Sequence, residues 1–396
     1  MEVIAHEAPI VSRPWPSQLE GTAEHGARLG VRGLVVRSLR HRPQETWYAV
    51  APLGFVDAKL VQPVAAPPAS PPSLPVRYLQ VISEQRLPLY PSRAELEQAA
   101  PPERLLGRGD TLVAASAFSW HDHDYWLSLD RKVLPQAGTV EIHEPSQWQG
   151  LLLRPADRLP FGWATSDGTP TFRRPGDPTP IARLARRERV RIVGERKLGA
   201  KRWLRIATGG WVDGEAIAEV RRVERPRTGQ WIDVDVAEQV LVAYAGARPS
   251  FATLISSGRD GTTPLGVYPI WAKARSITMK SQPYDKTTYF ADRVPWALFF
   301  QWHNALHGAY WHDRFGQEKT RGCINLAPFD ARWLFEWIAP PLPLGWDGLQ
   351  RRDLDRSPVV VVRDSRRKGP LPQDRPIGPP QPAVERRLIE EAAVKR

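Results

Sequence analysis

Cys323 is the only cysteine in the chain, and His307 lies a short distance before it. A thiol attacks a carbonyl group as the thiolate, and an ordinary thiol with a pKa of about 8.5 is mostly protonated at neutral pH. A catalytic cysteine therefore needs a base or a cation nearby, and His307 can be that base because histidine titrates near neutrality. These residue types predict a thiol nucleophile with a histidine base; the alternative is a lone cysteine that serves as a small apolar side chain.

The residues just before the cysteine favour a catalytic role. Gly322 lets the backbone turn sharply and approach a substrate, since glycine adopts conformations that other residues avoid. The main-chain N–H groups of Arg321, Gly322 and Cys323 can then donate to the oxyanion that forms when a thiolate attacks a carbonyl. We therefore predict an oxyanion hole at Arg321 and Gly322.

Two further histidines, His303 and His312, flank His307. The apolar residues here predict a strand over residues 297–311, in which His303 and His307 would share a face because side chains alternate. A metal site made of the three histidines is an alternative, although zinc sites usually have closer spacing and cysteine or carboxylate partners. We expect no metal ion and no cofactor.

Two blocks of residues surround the cysteine and the histidine: Ala305-Leu306-His307-Gly308-Ala309-Tyr310-Trp311-His312 and Thr320-Arg321-Gly322-Cys323-Ile324-Asn325-Leu326. Further blocks lie upstream and downstream, among them Trp231-Ile232-Asp233-Val234, Thr263-Pro264-Leu265-Gly266-Val267-Tyr268 and Pro328-Phe329-Asp330-Ala331. In this order they resemble the catalytic domain of the L,D-transpeptidases, the YkuD-like family, over residues 229–364.

The resemblance implies a β-sandwich with a short helix and an acyltransferase that acts on peptidoglycan stem peptides. Cys323 would attack the carbonyl of the third residue of a stem tetrapeptide, release D-alanine and form a thioester. Transfer to an amine would give 3–3 cross-links in cell wall remodelling, with His307 as base, oriented by the Gly308 carbonyl. Three other motif positions are expected to shape the substrate pocket: Tyr310, Trp311 and Asn325.

Arg321 stands where this family usually has a histidine. A guanidinium cannot accept a proton at physiological pH, so His307 is the only base left in the motif. Arg321 can lower the pKa of Cys323 or bind a substrate carboxylate. Two alternatives stay open: a same-fold amidase or lipoprotein-anchoring enzyme that passes the thioester to water or lysine, and an idle wall-binding protein.

Composition predicts a mainly β protein without disulfide bonds. The chain has 396 residues, 42% of them hydrophobic, with 40 prolines and 16 tryptophans, which favours short strands and turns over long helices. A single cysteine leaves no internal disulfide. No stretch of about 18 apolar residues predicts a transmembrane helix.

The net charge of +12 favours an anionic partner. No nucleic-acid-binding motif is present, so we expect no nucleic acid as partner. The family resemblance implies peptidoglycan stem peptides, with anionic envelope polymers or a lipoprotein as further partners. The first residues lack the basic and apolar regions of a signal peptide. The family resemblance nevertheless favours a periplasmic or cell-envelope location.

Three units of similar length precede the catalytic motif. A proline and a tryptophan recur in each at similar spacing: Pro9 with Trp47, Pro88 with Trp126, and Pro170 with Trp203. The first and third units also share a terminal motif, Gly54-Phe55-Val56-Asp57 and Gly210-Trp211-Val212-Asp213. With their alternating segments they resemble small bacterial SH3-like β-barrels, which bind cell wall material or act as spacers.

We therefore predict an SH3-like repeat in 1–62, a Pro-rich linker in 63–76, a weaker second repeat in 77–145, a third in 160–225, the catalytic domain in 229–364 and a disordered tail in 365–396. Within the catalytic domain we expect a short helix between Ala327 and Pro340, packed beneath the cysteine loop, and a last buried strand over residues 359–362. A helix is expected in the tail near Val384 to Val394.

Overall fold

The computed structural model describes residues 1–38, 44–70, 75–281, 288–367 and 369. Over these ranges the chain is mainly β with two short α-helices, which confirms the mainly β part of the predicted fold class. The helix predicted near Val384 to Val394 lies outside the described residues. None of the described helices has both the length and the apolar character needed to cross a membrane.

The first unit is built from seven strands: β1 (Glu2–Val3), β2 (Glu7–Val11), β3 (Leu19–Glu24), β4 (Val31–Arg37), β5 (Glu45–Val50), β6 (Phe55–Asp57) and β7 (Val61–Gln62). They pair in the order β3-β2-β6-β5-β4, and β1 pairs with β7. A 3₁₀ turn (Ala58–Leu60) separates the last two strands, and the Asp57 carboxylate begins it by accepting from the Lys59 N–H at 3.0 Å.

In the second unit, as in the first, the first strand pairs with the last. Its elements are β8 (Arg77–Val81), β9 (Leu87–Leu89), α1 (Arg93–Glu97), β10 (Arg104–Leu106), β11 (Thr111–Trp120), β12 (His123–Ser128), β13 (Val133–Pro135) and β14 (Thr139–Glu141). β8 pairs with β14 and β11, and β12 pairs with β11 and β13. β9 pairs with β10.

After β15 (Leu151–Leu152), the third unit repeats the element order of the first: β16 (Phe161–Ala164), β17 (Thr169–Phe172), β18 (Pro180–Leu184), β19 (Arg189–Leu198), β20 (Lys201–Ile206), β21 (Trp211–Asp213) and β22 (Ile217–Val220). The shared Gly-aromatic-Val-Asp motif has the same structure in both units. Gly54 and Gly210 have positive φ, Val56 and Val212 are buried, and Asp213 begins a 3₁₀ turn as Asp57 does. The sequence repeat is therefore a repeat of strand topology.

The remaining elements form the domain that the sequence analysis predicts to be catalytic, called the catalytic domain below: β23 (Gln230–Asp235), β24 (Val240–Ala245), β25 (Arg248–Leu254), β26 (Gly266–Pro269), β27 (Ala272–Lys280), β28 (Phe290–Gln301), β29 (Asn304–Gly308), β30 (Ile324–Leu326), α2 (Pro328–Trp337), β31 (Gly348–Gln350) and β32 (Val359–Arg363). One sheet has the order β15-β25-β24-β23-β32-β26, and the other contains β31, β27, β28, β29 and β30. Apolar residues of both sheets and of α2 share one core: Ile232, Phe300, Leu306, Leu334 and Val360.

The predicted helix and last strand of this domain are confirmed. Helix α2 begins with Pro328 at its first turn, as proline prefers. Its buried side chains Leu334 and Phe335 pack on β28 and β29, the strand that carries His307. Strand β32 is buried between β23 and β26. The helix therefore supports the strands of the site from below.

The predicted strand over residues 297–311 is wrong. Strand β28 ends at Gln301 and the chain reverses at Trp302 and His303 before β29 begins. Trp302 has a φ of 49°, and the Asn304 side chain donates to the Gln301 side chain at 2.7 Å across the turn. The tryptophan extended the apolar pattern, but its side chain is exposed, so His303 lies in a turn and not on a strand with His307.

Units one and two are tied to the catalytic domain through backbone and side chains. Strand β3 pairs with β31, and β11 pairs with β28. Arg293 of β28 donates to Glu24 of the first unit at 2.8 Å and to Asp130 of the second unit at 2.7 Å, and His6 lies 2.7 Å from Asp130. Burial alone would raise the pKa of Asp130, but the His6 hydrogen bond and the Arg293 charge lower it. One arginine thus links three parts of the chain.

Replacing Arg293 by Ala should destabilise the protein by about 2 kcal/mol, because two half-buried carboxylates lose their shared cation. The measurement is urea unfolding followed by tryptophan fluorescence. The matched control is Arg332→Ala, which removes an exposed helical pair with Glu336 and should cost about 0.5 kcal/mol or less. Equal effects of the two substitutions would contradict a linking role for Arg293.

Candidate active site

The parallel pair β29 and β30 assembles the site. His307 is paired with Asn325 and Leu306 with Ile324, and paired residues of parallel strands point to the same side. The Ala305 N–H donates to the Cys323 thiol, one step earlier along the same pair. Alternation along each strand therefore places Cys323, Asn325 and His307 on one face. The Cys323 sulfur also lies 3.8 Å from the His303 carbonyl oxygen, in the turn between β28 and β29.

The imidazole of His307 is fixed in one tautomer. Its Nδ1 lies 3.0 Å from the Gly308 carbonyl oxygen, which can only accept, so Nδ1 carries the proton and Nε2 presents a lone pair. This is the Gly308 contact predicted from the sequence. Burial lowers the pKa of His307 to about 4, and the ring is therefore neutral at neutral pH. A neutral imidazole with a free Nε2 can accept the proton of a thiol.

The thiol of Cys323 is also neutral at rest. Burial raises its pKa, and the Ala305 N–H opposes this only in part. Arg321 is not among the groups that shift this pKa, so the lowering expected from its charge is not found. The guanidinium of Arg321 lies 5.3 Å from the centre of the Tyr289 ring and donates to the Thr288 carbonyl at 3.4 Å. The charge of Arg321 therefore lies over Thr288 and Tyr289, the two residues that precede β28.

One hydroxyl holds the loop before the cysteine. Thr320 donates to the Cys323 carbonyl at 2.6 Å and accepts from the Gly322 N–H at 3.1 Å. Gly322 has a φ of 139°, and a Cβ at this position would lie 2.6 Å from the Asn304 side-chain oxygen. Glycine is therefore required for this loop. In the resting state the Gly322 N–H, a predicted oxyanion donor, is bonded to Thr320.

His312 was not among the residues predicted to act in catalysis or substrate binding, yet it contacts one of them. Its Nε2 lies 3.0 Å from the Asn325 side-chain amide, and its Nδ1 accepts from the Arg314 N–H at 3.2 Å. Burial and the Lys319 charge lower the pKa of His312 to about 4, so the ring is neutral and its Nε2 must donate. Its acceptor is then the amide oxygen of Asn325.

This tautomer decides which way the Asn325 amide points. Amide oxygen and nitrogen have nearly the same shape, so hydrogen-bond chemistry assigns them. With the oxygen facing His312, the NH₂ group takes the other amide position, which is buried and has no hydrogen-bond partner among the described residues. Asn325 therefore carries a buried amide donor on the face that it shares with His307. In the sequence, the only indication of the contact between His312 and Asn325 is that His312 lies close to the motif.

The two predicted aromatic residues differ in position. Tyr310 is buried, and its hydroxyl donates to the Asp292 carbonyl at 2.6 Å and lies 2.9 Å from the Thr111 hydroxyl of the second unit. Trp311 is partly exposed, and its ring centre lies 5.9 Å from that of His307. Trp311 thus borders the imidazole, while Tyr310 joins the site to the second unit.

The third unit holds the loop that follows β29. Arg186 and Arg187 contact the Asp313 carboxylate at 3.2 and 2.8 Å, and both guanidinium groups also donate to the Asp313 carbonyl. The Ser146 hydroxyl donates to the same carboxylate. Asp313 follows His312 directly. These contacts restrain the part of the loop that carries His312 and Trp311.

The alternative metal site is not formed. Within the described ranges, no group of three or more histidine, cysteine, aspartate or glutamate side chains is arranged to bind a metal ion. His303, His307 and His312 all lie within those ranges and do not form such a group. His307 and His312 instead use their ring nitrogens in the hydrogen bonds described above.

Residues 229–361 match the family model YkuD, the L,D-transpeptidase catalytic domain, which confirms the resemblance predicted for this part of the chain. Similar solved structures include the catalytic domain of the E. faecium L,D-transpeptidase, with 24% identity, a TM-score of 0.28, and coverage of 35% of this chain and 98% of that one. Another is L,D-transpeptidase 3 from Mycobacterium tuberculosis in complex with a faropenem-derived adduct, with 18% identity, a TM-score of 0.28, and coverage of 42% and 69%. A search of curated proteins found no match.

The pH dependence of the alkylation rate of Cys323 should show that the thiol is neutral at rest. A raised pKa means less thiolate at any given pH, so the rate with iodoacetamide should stay low at neutral pH and rise only above about pH 8.5. The profile is measured between pH 5 and 10, with N-acetylcysteine as reference. A plateau of fast alkylation between pH 6 and 8 that disappears in His307→Asn would show an ion pair instead and contradict the neutral state.

Proposed function

We propose that the chain is a cysteine-dependent L,D-transpeptidase in which Cys323 forms a thioester with a peptidoglycan stem peptide and transfers it to an amine, giving 3–3 cross-links. The match of residues 229–361 to the L,D-transpeptidase catalytic domain supports this kind of function. The observation that carries the proposal is the pairing of β29 with β30, which puts the thiol and the free Nε2 of His307 on one face.

The first half-reaction begins with a neutral pair. Nε2 of His307 takes the thiol proton while the sulfur attacks the carbonyl carbon of the third stem residue. The tetrahedral intermediate then collapses, the bond to D-alanine breaks, and the departing amine receives the proton from Nε2. The product is a thioester on Cys323 and free D-alanine.

The second half-reaction reverses these roles. An acceptor amine attacks the thioester, His307 takes a proton from that amine, and the thiolate leaves and regains the proton. In both halves the oxyanion would accept from the main-chain N–H groups of Arg321, Gly322 and Cys323. For Gly322 this requires exchange of its N–H from the Thr320 hydroxyl to the oxyanion.

The shifted pKa values determine when the thiolate appears. With the pKa of His307 lowered and that of Cys323 raised, the charged pair is unfavourable in the empty site. Proton transfer therefore accompanies attack on the substrate and does not precede it. This arrangement protects the thiol from side reactions between turnovers, since the thiolate is the reactive form.

We assign the three preceding units as SH3-like modules of a periplasmic or envelope protein. Their common strand order supports a shared fold, and the net charge of +12 suits anionic envelope polymers. The contacts of Arg186 and Arg187 with Asp313 give the third unit a second role in supporting the catalytic loop.

Replacing Cys323 by Ala should abolish formation of 3–3 dimers from purified disaccharide-tetrapeptide, because no other thiol is present. Replacing His307 by Gln should lower the rate by about 10²–10⁴-fold through loss of the base. Products are identified by mass spectrometry. Arg352→Gln, at an exposed pair with Glu20 of the first unit, is the control and should keep the parent rate.

The product spectrum also separates the alternatives. Tripeptide without dimer would show that water is the acceptor, and release of a lysine-linked protein would show an anchoring enzyme. Dimers formed by the Cys323→Ala variant would contradict the mechanism. If the parent protein gives no product and Arg321→His does, the natural chain is an idle wall-binding protein.

A further inference from the structure

Three cations gather beside the cysteine loop: Arg259, Arg314 and Lys319. The segments that carry them are held together by their backbones. The Lys319 N–H donates to the Ser257 carbonyl at 2.8 Å, and the Arg259 N–H donates to the Thr320 carbonyl at 3.1 Å. Thr320 in turn holds Cys323. The three cations therefore lie on two segments that are joined by backbone hydrogen bonds, and one of these segments leads directly to Cys323.

These charges have no acidic partner among the described residues. In the described parts of the chain, none of the three side chains forms an ion pair. Burial and the charges of Arg314 and Arg259 lower the pKa of Lys319, so the cations repel one another. The nearby Glu318 instead accepts from the Asp260 N–H at 3.1 Å. A folded chain brings like charges together at a cost in free energy unless an anion offsets it.

Several other arginines around the catalytic domain form ion pairs, unlike the three of this cluster. Arg186 and Arg187 contact Asp313, and Arg363 contacts Asp233 and Asp235 at 2.8 and 2.6 Å. The charges of the cluster also affect a residue of the site. The charges of Lys319 and Arg314 act on His312, whose ring contacts Asn325 opposite His307. An anion bound by the cluster would therefore lie next to the acyl-transfer site.

We propose that Arg259, Arg314 and Lys319 form a subsite that binds a carboxylate of the substrate peptide, in a position that places its acyl carbonyl at Cys323. This rests on the proposed function. Guanidinium groups bind carboxylates through two parallel hydrogen bonds, and the ammonium of Lys319 adds a point charge. A peptide carboxylate fits better than a distant polymer because both cationic segments border the loop of the nucleophile itself.

The test measures binding without chemistry, in the full chain with Cys323→Ala. The ligands are a stem tetrapeptide with free carboxylates and the same peptide with all carboxylates amidated, titrated by calorimetry. The free-carboxylate peptide should bind about tenfold more tightly, and added salt should reduce the difference. In the triple variant Arg259→Gln, Arg314→Gln, Lys319→Gln this preference should disappear.

The control is Arg227→Gln, which removes an arginine near Gly229, at the end of β23 and β24 opposite the cysteine loop. The Arg227→Gln variant should still bind the free-carboxylate peptide more tightly than the amidated one. Near-ultraviolet circular dichroism should be unchanged in every variant. Three results would overturn the subsite: no preference in the parent, an unchanged preference in the triple variant, or competition by inorganic phosphate that is as strong as that of the peptide. Failure of the proposed function would be seen in a different measurement, as the absence of cross-linked product from the protein with Cys323 intact.

Discussion

The structure depends on one constraint, the parallel pairing of β29 with β30. Parallel neighbours cannot be joined by a tight turn, so the chain must leave after Gly308 and return before Ile324 by a long connection. That connection carries Trp311, His312 and the loop of Cys323. The pairing fixes which residues share a face with His307, and the connection decides how firmly they are held.

Much of the surrounding structure restrains this connection. Thr320 holds the cysteine loop, and the third unit holds Asp313 through two arginines. Strand β15, which precedes the third unit, extends the catalytic sheet, and the first and second units pair with strands of the other sheet. The units that the sequence separates into repeats therefore also support the site. This gives a physical reason for their packing against the catalytic domain, apart from any binding of wall material.

Residue types and motif order were sufficient to predict the contact between His307 and the Gly308 carbonyl, helix α2 and strand β32. They failed where tertiary contacts decide the outcome. The turn at Trp302 is concealed by an apolar side chain that is exposed, and the partners of Asp313 lie far away in sequence. The direction of the pKa shift of Cys323 follows from burial of the thiol, which depends on the folded structure and not on the neighbouring residue types.

The central claim is that Cys323 carries the acyl group and His307 moves the proton. The most direct measurement is the intact mass of the full chain, quenched at short times after mixing with a stem tetrapeptide. The account predicts an added tripeptide acyl group located on Cys323, with one D-alanine released for each adduct, and much slower formation in His307→Asn. Release of D-alanine without an adduct, or an adduct on another residue, would contradict it.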